Sequence, residues 1–209
     1  MFKDRKDAGK KLGRALAKYR NTDALVLALP KGGTEVGYEI AGELNLDFSL
    51  LISRKLPMPG NPETGWGAIA EDGSTVILRY GDHLSTEQKN RIIEEQKSEI
   101  KRRISELRKG KPLPKIAGRT VILTDDGIAT GSTMLASLKM CANQKAKAVI
   151  IAAPVGGVDI IRKLKNNADE VIVLETPFNF RAVAQAYENW YDVSDREVKD
   201  IMQRWEKSR

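Results

Sequence analysis

The chain of 209 residues carries a single cysteine, Cys141, and a single histidine, His83. One thiol excludes an intramolecular disulfide framework, and the place of Cys141 in a helical pattern reads as a small core residue. His83 has no metal-ligand partner of its own type nearby, so it is expected to be structural or at the surface. No apolar run approaches the roughly 18 residues of a membrane span. The opening residues Lys3, Asp4, Arg5, Lys6 and Asp7 leave no apolar segment for a secretory signal, and a cytoplasmic protein is expected. No Lys follows Gly131, which excludes a P-loop, and no G-x-G-x-x-G fingerprint occurs. Internal repeats and low-complexity segments are absent as well.

What is present is ordinary for a globular domain: 30% charged residues and 41% in the hydrophobic class. The length suits one domain, residues 1–209, with a sizeable core. Formal net charge is +7. A mild basic excess is mostly solvated surface, suits a small polyanion equally well, and does not by itself call for nucleic acid.

The chain is organised around Thr120 to Thr133. Val121 to Leu123 is a short apolar, β-branched-rich run and reads as a buried strand. Asp125 and Asp126 place two carboxylates where that strand ends. Gly127 to Thr133 is rich in Gly, Ser and Thr, and a helical pattern continues from Met134 to Cys141. Such a turn offers backbone N–H groups, hydroxyls and a positive helix N-terminus to a phosphate. Adjacent carboxylates can accept from ribose hydroxyls and hold a divalent cation directly or through water. The bland alternative is a strand-to-helix turn with a capping Ser, which gives no reason for two adjacent acids.

This stretch resembles the signature loop of the type I phosphoribosyltransferases, in particular the little-characterised prokaryotic members. The resemblance runs in order over roughly residues 24 to 180. It implies that Asp125 and Asp126 meet the ribose hydroxyls of 5-phosphoribosyl 1-pyrophosphate (PRPP) and serve catalysis and Mg²⁺. It implies that Ala129, Thr130, Gly131, Ser132 and Thr133 hold the 5-phosphate. Pro30-Lys31-Gly32-Gly33 resembles the family's pyrophosphate loop, with a cis peptide expected at Pro30–Lys31; a plain β-turn is the alternative. Arg54 and Lys55 would contact pyrophosphate, or else form a solvated charge pair. Pro57 to Gly65 would be a mobile lid over the reacting centre.

The implied fold is α/β: a five-stranded, mainly parallel sheet with helices on both faces, an antiparallel flap and a small C-terminal hood. Strands are expected at Ala24–Leu29, Asp47–Ser53, Ala148–Ala153 and Glu170–Leu174 besides the signature strand. Helices are expected at Asp7–Arg20, Thr34–Leu44, Ser85–Lys109 and Val158–Leu164, with a last one opening at Ser194 and running through Trp205. The flap is read at Gly67–Glu71 and Thr75–Arg79 around Asp72-Gly73. Arg102, Arg103, Arg108, Lys109 and Lys111 gather at a helix end, where the dipole favours cations. Trp66, Phe178 and Phe180 could stack on a base or pack a core.

The implied reaction is transfer of the 5-phosphoribosyl group to a nitrogenous acceptor with release of pyrophosphate, in nucleotide metabolism, with a homodimer as the expected assembly. Enzymes acting on 6-oxopurines carry an Asp immediately before the Thr-Gly pair. Ala129 stands there in this chain, as in adenine and orotate enzymes, which argues against hypoxanthine or guanine. Two competing functions are a non-catalytic PRPP-binding regulator and a PRPP-synthesising enzyme. The second is disfavoured by a short chain and the lack of a recognisable ATP-binding element.

Overall fold

The computed structural model describes residues 1–208, without the side chains at positions 62, 63, 79 and 80. Asp4 opens the chain's first helix by accepting a hydrogen bond from the Asp7 N–H at 2.8 Å. In chain order come α1 (Arg5–Ala15), β1 (Leu25–Ala28), α2 (Gly33–Leu44), β2 (Asp47–Leu50), β3 (Ser53–Met58), β4 (Asn61–Ala70) and β5 (Thr75–Ile77). Then follow α3 (Thr86–Arg108), β6 (Thr120–Thr124), α4 (Ser132–Asn143), β7 (Ala148–Val155), α5 (Val158–Lys165), β8 (Glu170–Glu175) and α6 (Asp195–Lys207). No helix among the described residues is long and apolar enough to cross a membrane.

Five strands form one sheet in the order β2-β1-β6-β7-β8, every neighbouring pair parallel. Period-two alternation sends successive side chains to opposite faces. Val26, Ala28, Ile122 and Ile150 join the cluster that α2, α3 and α6 cover, together with Ile40, Ile100 and Val198. Leu25, Leu27, Leu123 and Ile151 join the cluster under α4 and α5, with Leu138, Cys141 and Leu164. The order runs outward from β1 in two directions, through β2 on one side and β6 on the other. The C-terminal ends of β1 and β6 therefore flank the point where an open α/β sheet holds its ligand.

On the covered side α1 lies against α2 at two glycines. A Cβ at Gly9 would stand 2.7 Å from Glu39 Cβ, and one at Gly13 would stand 2.7 Å from Glu43 Cγ. Only the missing side chains allow the approach.

The second sheet is antiparallel, in the order β3-β4-β5. The expected second strand, Asp47 to Ser53, is in fact split between the two sheets. Leu51 N–H still bonds Ala28 of β1, at 2.9 Å, whereas Ile52 N–H donates to Glu71 Oε2 at 2.9 Å and turns the chain into β3. Glu71 in turn takes Arg108 Nη2 at 2.7 Å and Nη1 at 3.1 Å, while Nη1 also donates to Leu50 O at 2.9 Å. Arg108 is thus buried at the flap root, and the charge run at the end of α3 is not one solvated patch. Lys109 and Lys111 both pair with Glu206 of α6.

The expected lid at Pro57–Gly65 is a hairpin rather than an irregular loop. Met58 pairs with Asn61 across Pro59 and Gly60, and Gly60 takes the left-handed φ of +76° that this turn needs. The pairing slips at Pro57, which has no N–H to give the ladder. The side chain of Pro62 lies outside the described residues.

Other boundaries shift by a few residues. The first helix starts at Arg5 and gives way to a 3-10 turn, Ala17–Tyr19, instead of running to Arg20. The flap strands are Asn61–Ala70 and Thr75–Ile77, joined by Asp72-Gly73 with Gly73 at φ +90°. The C-terminal hood is built partly from the other end of the chain. Phe2 N–H donates to Ala186 O at 2.7 Å, Glu188 N–H donates to Phe2 O at 2.8 Å, and Phe2 and Tyr187 form a parallel bridge.

Candidate active site

Two turns meet at the sheet's switch point. The first follows β1, where the Pro30–Lys31 peptide bond is cis, as the sequence resemblance implied. Its glycines lie directly against the acidic turn after β6. A Cβ on Gly32 would fall 1.7 Å from Asp126 Oδ2, and one on Gly33 would fall 2.8 Å from Asp125 Cα. No other residue type fits at either position without moving the acids, so these glycines interlock the two turns.

The second turn begins where β6 ends. Asp125 Oδ1 accepts the Asp126 N–H at 2.8 Å. Gly127 is packed beneath the hood, since a Cβ there would meet Val183 Cγ1 at 2.5 Å and Val155 Cγ1 at 2.9 Å. Ile128 N–H donates to Val155 O at 2.8 Å and ties the turn to the end of β7. Gly131 then takes a left-handed φ of +68° as the cap residue of α4, with Ile160 packed against its Cα. Glycine has no side chain with which to cap the helix, so the first-turn N–H groups of α4 keep their capacity to bind an anion.

A cavity of about 160 Å³ opens on this turn. It is lined by Asp125, Gly127, Ile128, Ala129, Thr130, Gly131, Thr133 and Met134, with Lys55 reaching in from β3. The structure thus brings Asp125, Lys55 and four of the five expected phosphate-loop residues together. Ser132 is buried within the first turn of α4 instead. Burial and the neighbouring Asp126 carboxylate push Asp125 well above the ordinary carboxylate range.

Several expected site residues stand elsewhere. Arg54 and Lys55 are adjacent in an extended strand and point to opposite faces. Arg54 Nε donates to Gln96 Oε1 of α3 at 3.0 Å, away from the cavity. Lys31 is exposed, with Nζ 3.8 Å from Asp195 at the start of α6. Trp66 is fully buried in the flap and packs rather than stacks. His83 is exposed. Phe178 is 99% exposed, while Phe180 packs against the small cluster around Phe2 and Val155. Ala129, Gly157, Ile160, Phe178 and Phe180 line a shallow hollow beside the cavity.

One residue of this site escapes the motif reading. Arg5, on the first turn of α1 and only 3% exposed, donates from Nε to Asp126 Oδ2 at 2.8 Å. Its Nη1 donates to Tyr191 O at 2.9 Å, and its guanidinium carbon lies 4.0 Å from the centre of the Trp190 ring. Tyr187 Oη donates to Asp126 O at 2.6 Å. Burial raises Asp126 as well, but the Arg5 guanidinium opposes that rise. A signal was available: Arg5 falls on the helical stripe of Ala8, Leu12 and Leu16, where a cation needs a buried partner.

Among the described residues no group of three or more His, Cys, Asp or Glu side chains is placed to hold a metal by itself. A single carboxylate facing a phosphate-sized cavity fits Mg²⁺ of the kind held by one or two carboxylates together with water and substrate phosphates.

Comparison with known proteins gives this geometry its relatives. Residues 1–188 match the family model described as "Phosphoribosyl transferase domain". Two Mycobacterium tuberculosis proteins, Rv0571c of strain H37Rv and MT0597 of strain CDC 1551, are named as candidate phosphoribosyl transferases. Each is 38% identical over 207 residues, covering 98% of this chain and 47% of its own length. The chain therefore spans about half the length of these relatives. The crystal structure of TT1426 from Thermus thermophilus superposes with a TM-score of 0.83 at 34% identity, over 98% of both chains.

Proposed function

The chain belongs to the phosphoribosyl transferase family, and from that premise we propose that it transfers the 5-phosphoribosyl group of PRPP to a nitrogenous acceptor and releases pyrophosphate. The observation that carries the reading is the cavity in which Lys55 faces Asp125 and the uncapped turn 129–133, beside the interlocked Gly32-Gly33 turn. The turn and the first N–H groups of α4 take the 5-phosphate. Asp125, with Asp126 behind it, accepts from the ribose hydroxyls. Lys55 and the N–H groups at Gly32 and Gly33 receive the pyrophosphate.

In the reaction the bond from the anomeric carbon to the pyrophosphate oxygen breaks, its electron pair leaving with pyrophosphate. The acceptor nitrogen forms the new bond to that carbon and releases its proton to solvent water. Positive charge develops on the ribose ring in between, and the nearby carboxylates stabilise it. Mg²⁺, when bound with the substrate, would neutralise the leaving pyrophosphate, with Asp125 as its carboxylate donor from the cavity and Asp126, held by Arg5, reaching it only through water. Ala129 stands where a 6-oxopurine enzyme would present an Asp, which favours an acceptor other than hypoxanthine or guanine. On this reading the protein works in cytoplasmic nucleotide metabolism, as a homodimer.

Isothermal titration with Mg-PRPP tests the site, and a pyrophosphate-release screen over purines and pyrimidines tests the transfer. The expected result is binding with one-to-one stoichiometry and release that depends on one acceptor. Binding with no release from any acceptor would favour a PRPP-responsive regulator. Absence of binding by both Mg-PRPP and ribose 5-phosphate would overturn the reading.

A further inference from the structure

We propose that Arg5 is a positioning residue for the acidic pair: wedged between Trp190 and Asp126, it fixes Asp126 against the Gly32-Gly33 turn and leaves Asp125 as the carboxylate that meets the ribose. The consequence for ligand rests on the phosphoribosyl-transfer reading above. The restraint itself does not.

Three contacts from two segments, the acidic turn and residues 190–191, converge on this guanidinium. Nε holds Asp126 Oδ2 at 2.8 Å, Nη1 is spent on Tyr191 O at 2.9 Å, and Trp190 covers the face at 4.0 Å. Arg5 therefore cannot swing toward the cavity without giving up all three. Asp126 is held twice, through its carboxylate by Arg5 and through its carbonyl by Tyr187 Oη at 2.6 Å. The carboxylate so placed sits where a Gly32 side chain would be, so Asp126 is the wall against which the pyrophosphate turn is packed. Among the described residues no arginine or tyrosine ties Asp125 as Arg5 and Tyr187 tie Asp126; it accepts the Asp126 N–H and lies beside the Asp126 carboxylate, and of the pair it is Asp125 that lines the cavity.

A buried ion pair is weak evidence for stability, because an apolar residue of similar volume often packs as well. A fork of N–H donors with fixed geometry does what an apolar residue cannot, which is to aim a carboxylate. Arg5 meets this chain's acids from the far end of the sequence, and the two C-terminal aromatics hold it in that aim.

The test compares the parent chain with Arg5→Met and Arg5→Lys, in two measurements made below the melting transition. In the unliganded protein, amide hydrogen exchange at Gly32–Thr34 and Asp126–Gly127 should quicken in Arg5→Met, with β7 and α4 unchanged and Arg5→Lys in between. In titrations, Mg-PRPP should bind roughly tenfold to a hundredfold more weakly to Arg5→Met, as for loss of one charge-assisted hydrogen bond. Inorganic phosphate, which needs only the turn 129–133, should bind as in the parent, and Arg5→Lys should recover part of the Mg-PRPP affinity. A lower melting temperature with parental exchange at these amides and parental affinities would overturn the proposal. So would equal weakening of phosphate and Mg-PRPP. If the parent itself fails to bind Mg-PRPP, the functional reading falls, while the exchange measurement still decides the role of Arg5.

Discussion

Arg108 and Arg5 each bury a guanidinium against a carboxylate, with side-chain exposures of 4% and 3%, yet the two pairs are built differently. At the flap root the fork is closed. Both oxygens of Glu71 receive an Arg108 nitrogen, Oε2 also takes the Ile52 N–H, and Leu50 O takes a further guanidinium N–H. Within this fork, Arg108 Nε has no partner among the described residues. At the site the fork is split: Arg5 gives one N–H to Asp126, one to a backbone carbonyl, and its face to an indole. A closed fork spends its directional capacity on itself and serves the scaffold. A split fork joins three segments and transmits the position of each to the others. An arginine and a carboxylate thus tie the root of the flap in one place and join the acidic turn to both ends of the chain in the other.

The comparison would break most visibly at the flap root. Arg108→Met leaves Glu71 buried and uncompensated, and should cost about 3–5 kcal/mol of stability. Burial already raises Glu71, with Arg108 as the largest opposing influence. Thermal melts of Arg108→Met, and of Arg108→Met combined with Glu71→Leu, measure this, and the double variant should regain most of the loss. If Arg108→Met weakened Mg-PRPP binding while leaving the melting temperature alone, the closed pair would not be a scaffold element.

The second test separates the two acids. Asp125→Asn removes a like charge from beside Asp126, so stability should hold or rise slightly. Mg-PRPP affinity should fall by about 1.5–3 kcal/mol, the worth of a charge-assisted hydrogen bond. Asp126→Asn leaves the Arg5 charge buried against an amide, and should cost about 1–3 kcal/mol of stability as well as affinity. Melting temperature and titration on the two single variants give the comparison. Equal effects in both would erase the asymmetry that Arg5 creates.

Partly exposed pairs supply the lower bound. Glu99 accepts from Arg102 and Arg103 on α3, and these bonds, Arg102 first, hold its pKa at about 2. A depressed acid contributes stability above its unfolded value of 4.5 and loses it as pH falls toward 2. Solvent screening limits the gain to about 0.2–1 kcal/mol. Glu99→Gln should therefore shift the melting temperature slightly at pH 7 and by less at pH 2, where the folded carboxylate is about half protonated. A loss as large as that of Arg108→Met would show that exposure does not separate these pairs.

The sequence carried the turn after β6 plainly, because its parts are local: an apolar β-branched run, two acids at its end, and glycines where the backbone must turn. The cis bond at Pro30–Lys31 is where the resemblance implied it, and the hairpin read around Asp72-Gly73 is present, but the flap gains a third strand, β3, and a longer β4 over residues read as a loop. The passage from β2 to β3 was not legible, since a continuous extended pattern does not announce a change of sheet. Glu71, nineteen residues on, makes that change by capturing Ile52 N–H. Arg54 and Lys55 read as a pair in sequence, although strand alternation alone separates their faces. The Arg5 clasp spans 121 residues to Asp126 and 186 to Tyr191, so the helical stripe that marks Arg5 for burial does not say which residues it meets.

Gly9 and Gly13 give the clasp its tolerance. Arg5 sits one helical turn before Gly9 on the same face of α1, so the depth at which α1 seats on α2 fixes how far the guanidinium reaches. The seating is close: a Cβ at Gly9 would meet Val36 O at 2.9 Å and Glu39 Cβ at 2.7 Å. A hydrogen bond of 2.8 Å loses its range beyond about 3.2 Å. A methyl group at Gly9 would displace the helix by enough to use up that margin. The aim of the carboxylate is in this sense gauged at two notches in a helix that never meets the ligand.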